Sequence, residues 1–204
     1  MTEIMLAKPF EFCGETYEKI EMDFDKLTGA DVEAIEEELF AETKTIVFRE
    51  DWNKRYQRYL AAKAAGVPND MIEALPAREY KKIVKAASDA ISKIETESGK
   101  LLNQFDGGND VITMTLSKTA EYENETYETI EMDFGGLTGR DIEAVEDEVS
   151  AAENIRFSPS ISKRYQRYLA AKAAGVPSEM VKALPMRDYN MMVEAARYFL
   201  FSEA

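Results

Sequence analysis
A 15-residue segment, Lys54 to Pro68, returns without one change at Lys163 to Pro177. An identity of that length between distant parts of one chain predicts a tandem duplication, a module of about 100 residues used twice. The spacing is too long for a solenoid, whose period runs from roughly 20 to 50 residues, and matches the commonest size of a single domain. Agreement outside the segment is uneven. Between Thr16 and Glu36, set against Thr126 to Glu146, 15 of 21 positions agree, whereas Lys81 to Ser92 against Asn190 to Phe201 keeps only 3 of 12. The expected organisation is a first copy over residues 1–95, a linker over 96–109 and a second copy over 110–204.

Composition narrows what such a module does. The chain has no histidine, which removes the commonest general base, metal ligand and pH switch together. A net charge of −14 repels phosphate backbones, so no nucleic-acid partner is expected. The acid is concentrated: Glu11 to Glu42 holds twelve carboxylates against Lys19 and Lys26, and Glu121 to Glu148 holds eleven against Arg140. Cys13 is the one cysteine, which suits a reducing cytoplasm and leaves no internal disulfide. No apolar run reaches 18 residues and the N-terminus lacks a basic-then-apolar leader, so neither membrane nor secretion is expected.

Apolar periodicity then gives the elements. Ile20, Met22 and Phe24 alternate with charged residues, as do Ile112, Met114 and Leu116 and then Ile130, Met132 and Phe134. Period two reads as a β-hairpin in each copy, turning at Gly14-Glu15 and around Glu123-Asn124-Glu125, with Pro9 at an edge or bulge. Thr28 and Thr138 read as helix N-caps with Asp31 and Asp141 three residues on. The helices that follow carry the stripes Val32, Ile35, Leu39 and Ile142, Val145, Val149, with Glu33, Glu36, Glu37 and Glu38 facing mostly outward. An irregular stretch holding Phe48 and Trp52, or Phe157 and Ile161, leads into the repeated helix.

That helix presents Tyr56, Tyr59, Leu60 and Ala64, or Tyr165, Tyr168, Leu169 and Ala173, and stops at Gly66-Val67-Pro68 or its repeat. Asn69 and Ser178 are expected to cap a short helix. Pro76 opens a last helix from Ala77 to about Ile94, and its counterpart runs from Met186 to about Phe201. The fold class is therefore α+β, mostly helical: two modules, each a hairpin and about four helices. Leu101, Leu102 and Phe105 are placed to tack the Gly-, Asn- and Ser-bearing linker onto a neighbouring surface.

No catalytic, metal or cofactor site is expected. Consecutive Glu36, Glu37 and Glu38 point in three directions and cannot converge on one ion. Cys13 has Glu123 or a neighbour in its place in the second copy, and Asp106-Gly107-Gly108-Asn109 lacks the spacing and Lys-Ser/Thr ending of a phosphate loop. Candidate partner-binding residues are the cations Arg55, Arg58, Lys63, Arg164, Arg167 and Lys172, read as lying outside the core. They serve either internal salt bridges to the acidic helix or a docking face. Tyr198, Phe199 and Phe201 join them, since the last helix of the second copy gains apolar bulk there and at Met191 in place of Asp89, Ala90, Ser92 and Lys82. That bulk either packs across the linker onto the first copy or forms an exposed patch.

An ordered series of segments carries a resemblance. It runs Lys8-Pro9-Phe10-Glu11-Phe12, Glu15-Thr16-Tyr17, Leu27-Thr28-Gly29-Ala30-Asp31, then Tyr59 to Pro68 and Ala74 to Tyr80. The second copy keeps Leu137 to Asp141, Tyr168 to Pro177 and Ala183 to Tyr189, ending Tyr198-Phe199-Leu200, but has Ser117-Lys118-Thr119-Ala120 at its opening. In these segments each copy resembles the tail assembly chaperones of long-tailed bacteriophages, particularly those of prophages in Gram-positive bacteria. The resemblance implies a non-enzymatic protein of the host cytoplasm that binds the tape measure protein, helps recruit tail tube subunits and self-associates. Two modules in one chain depart from that pattern. The alternative is an acidic nucleic-acid mimic or another interaction adaptor of phage origin.

Overall fold
A computed structural model of the chain describes residues 1–45, 50–105, 110–152 and 162–201. The expectations at Phe48, Phe157, Ile161 and the Asp106–Asn109 stretch lie outside these residues. The chain divides into two compact units, Met1–Lys93 and Ile94–Ala204.

In unit 1, β1 (Thr2–Phe12) and β2 (Glu15–Met22) form an antiparallel hairpin, followed by a 3-10 turn at Phe24–Lys26. The two-residue turn is Cys13-Gly14, with φ of 51° and 86°. Positive φ at both central positions matches the turn twist to the strand twist, and only Gly14 reaches it without a Cβ penalty. The register shifts between Met5 and Phe10, which puts Pro9 in a bulge where its missing N–H breaks no rung. Helices α1 (Gly29–Thr43), α2 (Lys54–Ala65) and α3 (Asn69–Ala74) follow, then the start of α4 (Ala77–Leu102). Ile20, Met22, Val32, Ile35, Leu39, Tyr56, Leu60, Met71, Ile72 and Ile83 are buried and make the core.

Unit 2 repeats the order with β3 (Val111–Tyr122), β4 (Glu125–Asp133), α5 (Gly139–Ala152), α6 (Lys163–Ala174), α7 (Ser178–Ala183) and α8 (Met186–Phe201). Its hairpin turns on Glu123 and Asn124, at φ of 49° and 70°, and its register shifts between Thr115 and Ala120. The bulge therefore recurs where there is no proline. It is a property of the strand pairing, which Pro9 tolerates.

Local chemistry explains the helix limits. The Asp31 carboxylate accepts from the N–H and hydroxyl of Thr28, at 2.9 Å each, as Asp141 does from Thr138 at 2.9 and 2.6 Å. α2 and α6 are capped by Asn53 and Ser162, whose side chains accept from the Tyr56 and Tyr165 N–H at 3.0 and 3.1 Å. Gly66 and Gly175, at φ of 66° and 65°, end them in the left-handed region. Asn69 and Ser178 are a correction: each is the first helical residue after Pro68 or Pro177, and neither helix has a side-chain cap.

Two further expectations change. Glu33 is buried, at 4 % exposure, and not outward. It lies one turn on from Gly29, also buried, so the covered arc of α1 is wider than the Val32, Ile35, Leu39 stripe. In α5 the equivalent Gly139 and Glu143 are exposed. The last helix of the first half does not stop near Ile94; α4 continues to Leu102, through Gly99. Leu101 is buried and Ser98 with it, so packing outweighs the roughly 1 kcal/mol that a glycine costs inside a helix.

Candidate functional site
The repeated helix brings its cations to two different environments. Arg58 is 4 % exposed and Arg167 2 %, which corrects the reading that these side chains stay out of the core. Arg58 pairs with Glu73 and lies 3.7 Å from Glu42. Arg167 donates to the Ser178 carbonyl at 2.9 Å and to Glu179 at 3.2 Å. Each guanidinium also lies over the next tyrosine, 5.4 Å from the Tyr59 ring centroid and 4.6 Å from that of Tyr168. The planar fork joins α6 to α7 through a helix-start carbonyl, a carboxylate and a ring face, and α2 to α3 through the Glu73 carboxylate and a ring face.

The remaining cations stay near the surface. Arg55 lies 3.8 Å from Glu42, Lys63 3.2 Å from Glu38 and Lys172 3.2 Å from Asp141; Arg164 is half-buried. Of the two readings left open by the sequence, salt bridges to the acidic helix describe Arg55, Lys63 and Lys172. The hydroxyl and N–H of Thr138 and the Lys172 ammonium hold the Asp141 carboxyl down at about 2. Burial, then Glu42, pushes the Tyr59 phenol up.

The apolar end of α8 is assembled inside unit 2. Phe105 stacks on Tyr198 with centroids 4.9 Å apart, Phe134 stacks on Phe199 at 5.1 Å, and Phe105 meets Phe134 at 5.9 Å. Met191 is buried. Tyr198 and Phe201 keep 42 % and 58 % of their surface exposed, while Phe199 is half-buried. The substitutions that separate α8 from α4 thus divide into anchors, Met191 and Phe199, and surface, Tyr198 and Phe201.

Two features escaped the sequence. Asp188, wholly buried, accepts from the Ser117 N–H at 2.9 Å and its hydroxyl at 2.6 Å, pinning β3 to α8. Beside β4 there is also an open hollow of about 500 Å³, lined by Thr129, Glu131, Asp133, Leu137, Lys172 and Val176 among others. The signal for the second was present: Gly135-Gly136 stands where the first half has Asp25-Lys26.

Hairpin, capped helices and an aromatic helix end together define a small α+β domain. Residues 113–200 match the family described as phage tail assembly chaperone proteins, E, or 41 or 14. The match follows unit 2 from β3 to α8, and in this unit the chain is similar to the phage tail assembly chaperones. No curated protein and no solved structure matches. No helix among the described residues is long and apolar enough to cross a membrane.

Proposed function
We propose that the chain is a non-enzymatic chaperone that binds the tape measure protein, keeps it dispersed and helps bring tail tube subunits to it. The observation that carries this reading is the family match over residues 113–200, with the exposed aromatics Tyr198 and Phe201 on the helix that ends the matched region. Aromatic side chains give large contact area with few rotors to freeze, which suits them to gripping an apolar stripe of a helical client. The acidic surface, at a net charge of −14 for the chain, would keep a complex with such a client from aggregating. Two modules in one chain raise the effective concentration of the second contact once the first is made.

The test is genetic. Deleting the coding sequence from the phage that carries it should give filled heads without tails, and the intact gene supplied in trans should restore them. Normal tails in the deletion would overturn the reading.

A further inference from the structure
We propose that unit 2 receives an extended, lysine- or arginine-bearing segment of a tail protein, laid along β4 as a third strand with side chains entering the adjoining hollow. The inference rests on the tail-assembly reading only in where that segment is to be sought. Each sheet has two strands, and among the described residues β4 pairs with β3 alone. Its other edge presents a row of backbone groups with no strand to bond, the arrangement used when a peptide adds to a sheet. Beyond the bulge no residue of this hairpin from Ser117 to Thr129 is buried, so the edge is accessible.

The hollow lies beside that strand. Thr129, Glu131 and Asp133, at alternate positions of β4, line one part of it, while Lys172, Ala173, Ala174 and Val176 at the end of α6 line another. In unit 1 the corresponding place is closed: the Asp23 N–H donates to the Ala64 carbonyl at 2.9 Å, and both Leu27 and Gly29 are buried. In unit 2 Leu137 is half-exposed and Gly139 exposed. Phe134 accounts for part of the difference. It is fully buried against Phe105 and Phe199, whereas Phe24 is half-buried in the 3-10 turn. The Gly136 N–H donates to the Asp133 carboxylate at 2.8 Å, and a Cβ there would have to push that carboxylate aside.

Charge selects the occupant. Along the strand and its approach stand Glu125, Glu128, Glu131 and Asp133, and the one lysine of the hollow's lining is already held by Asp141. The C-terminal end of α6 adds partial negative charge at the same place. A second copy of this acidic strand would be repelled, whereas an extended segment alternating cations with apolar residues satisfies both the edge and the rim.

The probe is a nine-residue peptide alternating lysine and valine. Its glutamate–valine counterpart and a version with a central proline serve as controls, and all are titrated into the full chain. The lysine peptide should bind and protect the amides of residues 125–133 from hydrogen exchange, while both controls should bind at least tenfold more weakly. Glu131→Lys should cost a further tenfold, and Glu143→Lys, the same charge change on the exposed face of α5, less than twofold. No binding, protection elsewhere, or equal effects of the two substitutions would overturn the proposal. None of these results bears on whether the phage needs the gene to make tails.

Discussion

The Asp188 carboxylate and the Ser117 backbone N–H, 71 positions apart, meet at 2.9 Å in the interior of unit 2. The same oxygen takes the Ser117 hydroxyl at 2.6 Å, and the other oxygen takes Arg187, which also reaches Glu97. Three donors, two from β3 and one from α8, thus meet one buried carboxylate, and Glu97 of α4 holds the same guanidinium, so that each compensates the desolvation of the others.

Asp188→Ala leaves the Ser117 N–H without its acceptor. Removing a charged acceptor from a buried donor costs about 3 kcal/mol, enough to lower the melting temperature of a domain this size by about 10 °C or more. Ser117→Ala removes only the hydroxyl and should cost about 1 kcal/mol. Urea denaturation of both variants and the double variant measures this; additive costs would mean that the two side chains do not interact.

Arg58→Ala and Arg167→Ala should destabilise their units by about 2–3 kcal/mol, through lost packing and charge-assisted bonds. Arg55→Ala and Lys63→Ala should stay within about 0.5 kcal/mol, as exposed ion pairs do. Chemical denaturation separates the two groups. A stability effect at Arg55 as large as that at Arg58 would contradict the assignment of Arg58 to architecture.

The capping carboxylate of α5 sets a response to acid. The folded pKa of Asp141, about 2, lies below its ordinary value of 3.8. Its ionised form therefore stabilises unit 2 above pH 3.8, and that contribution disappears as the pH falls through about 2. Thermal melts from pH 5 to pH 2 should show a shallower loss for Asp141→Asn than for the parent. Parallel curves would remove Asp141 from the account.

Gly66→Ala and Gly175→Ala place a Cβ at positive φ in open space, with no heavy atom within 4 Å. The cost is backbone strain alone, about 1 kcal/mol at each site, and equal costs are expected because the helix and its stop are identical in sequence. Calorimetry on the two variants compares them.

Much of the secondary structure was legible because local chemistry decides it. The threonine–aspartate boxes, the Gly-Val-Pro stops and the period-two strands each depend on residues a few positions apart. Helix α4 ran past its expected end because Leu101 is buried in packing that glycine and asparagine counts do not report. Arg58 and Arg167 were assigned to the surface since a guanidinium is rarely buried; the partners that permit it, Glu73 and Ser178, lie in the next helix. Of the candidate patch, the gain of aromatics in α8 was visible in the comparison of the two halves. Its division into anchors and surface depended on Phe105 and Phe134, residues distant in sequence.

The central claim is that this chain grips a tape measure protein by surface contact, and coexpression tests it most directly. Produced alone, the tape measure protein of the same phage should sediment; produced with this chain, it should stay in the supernatant and copurify. Tyr198→Ser with Phe201→Ser, a variant whose folding is checked by circular dichroism because Tyr198 stacks on Phe105, should return most of it to the pellet. A client that remains insoluble beside the folded parent chain would contradict the account.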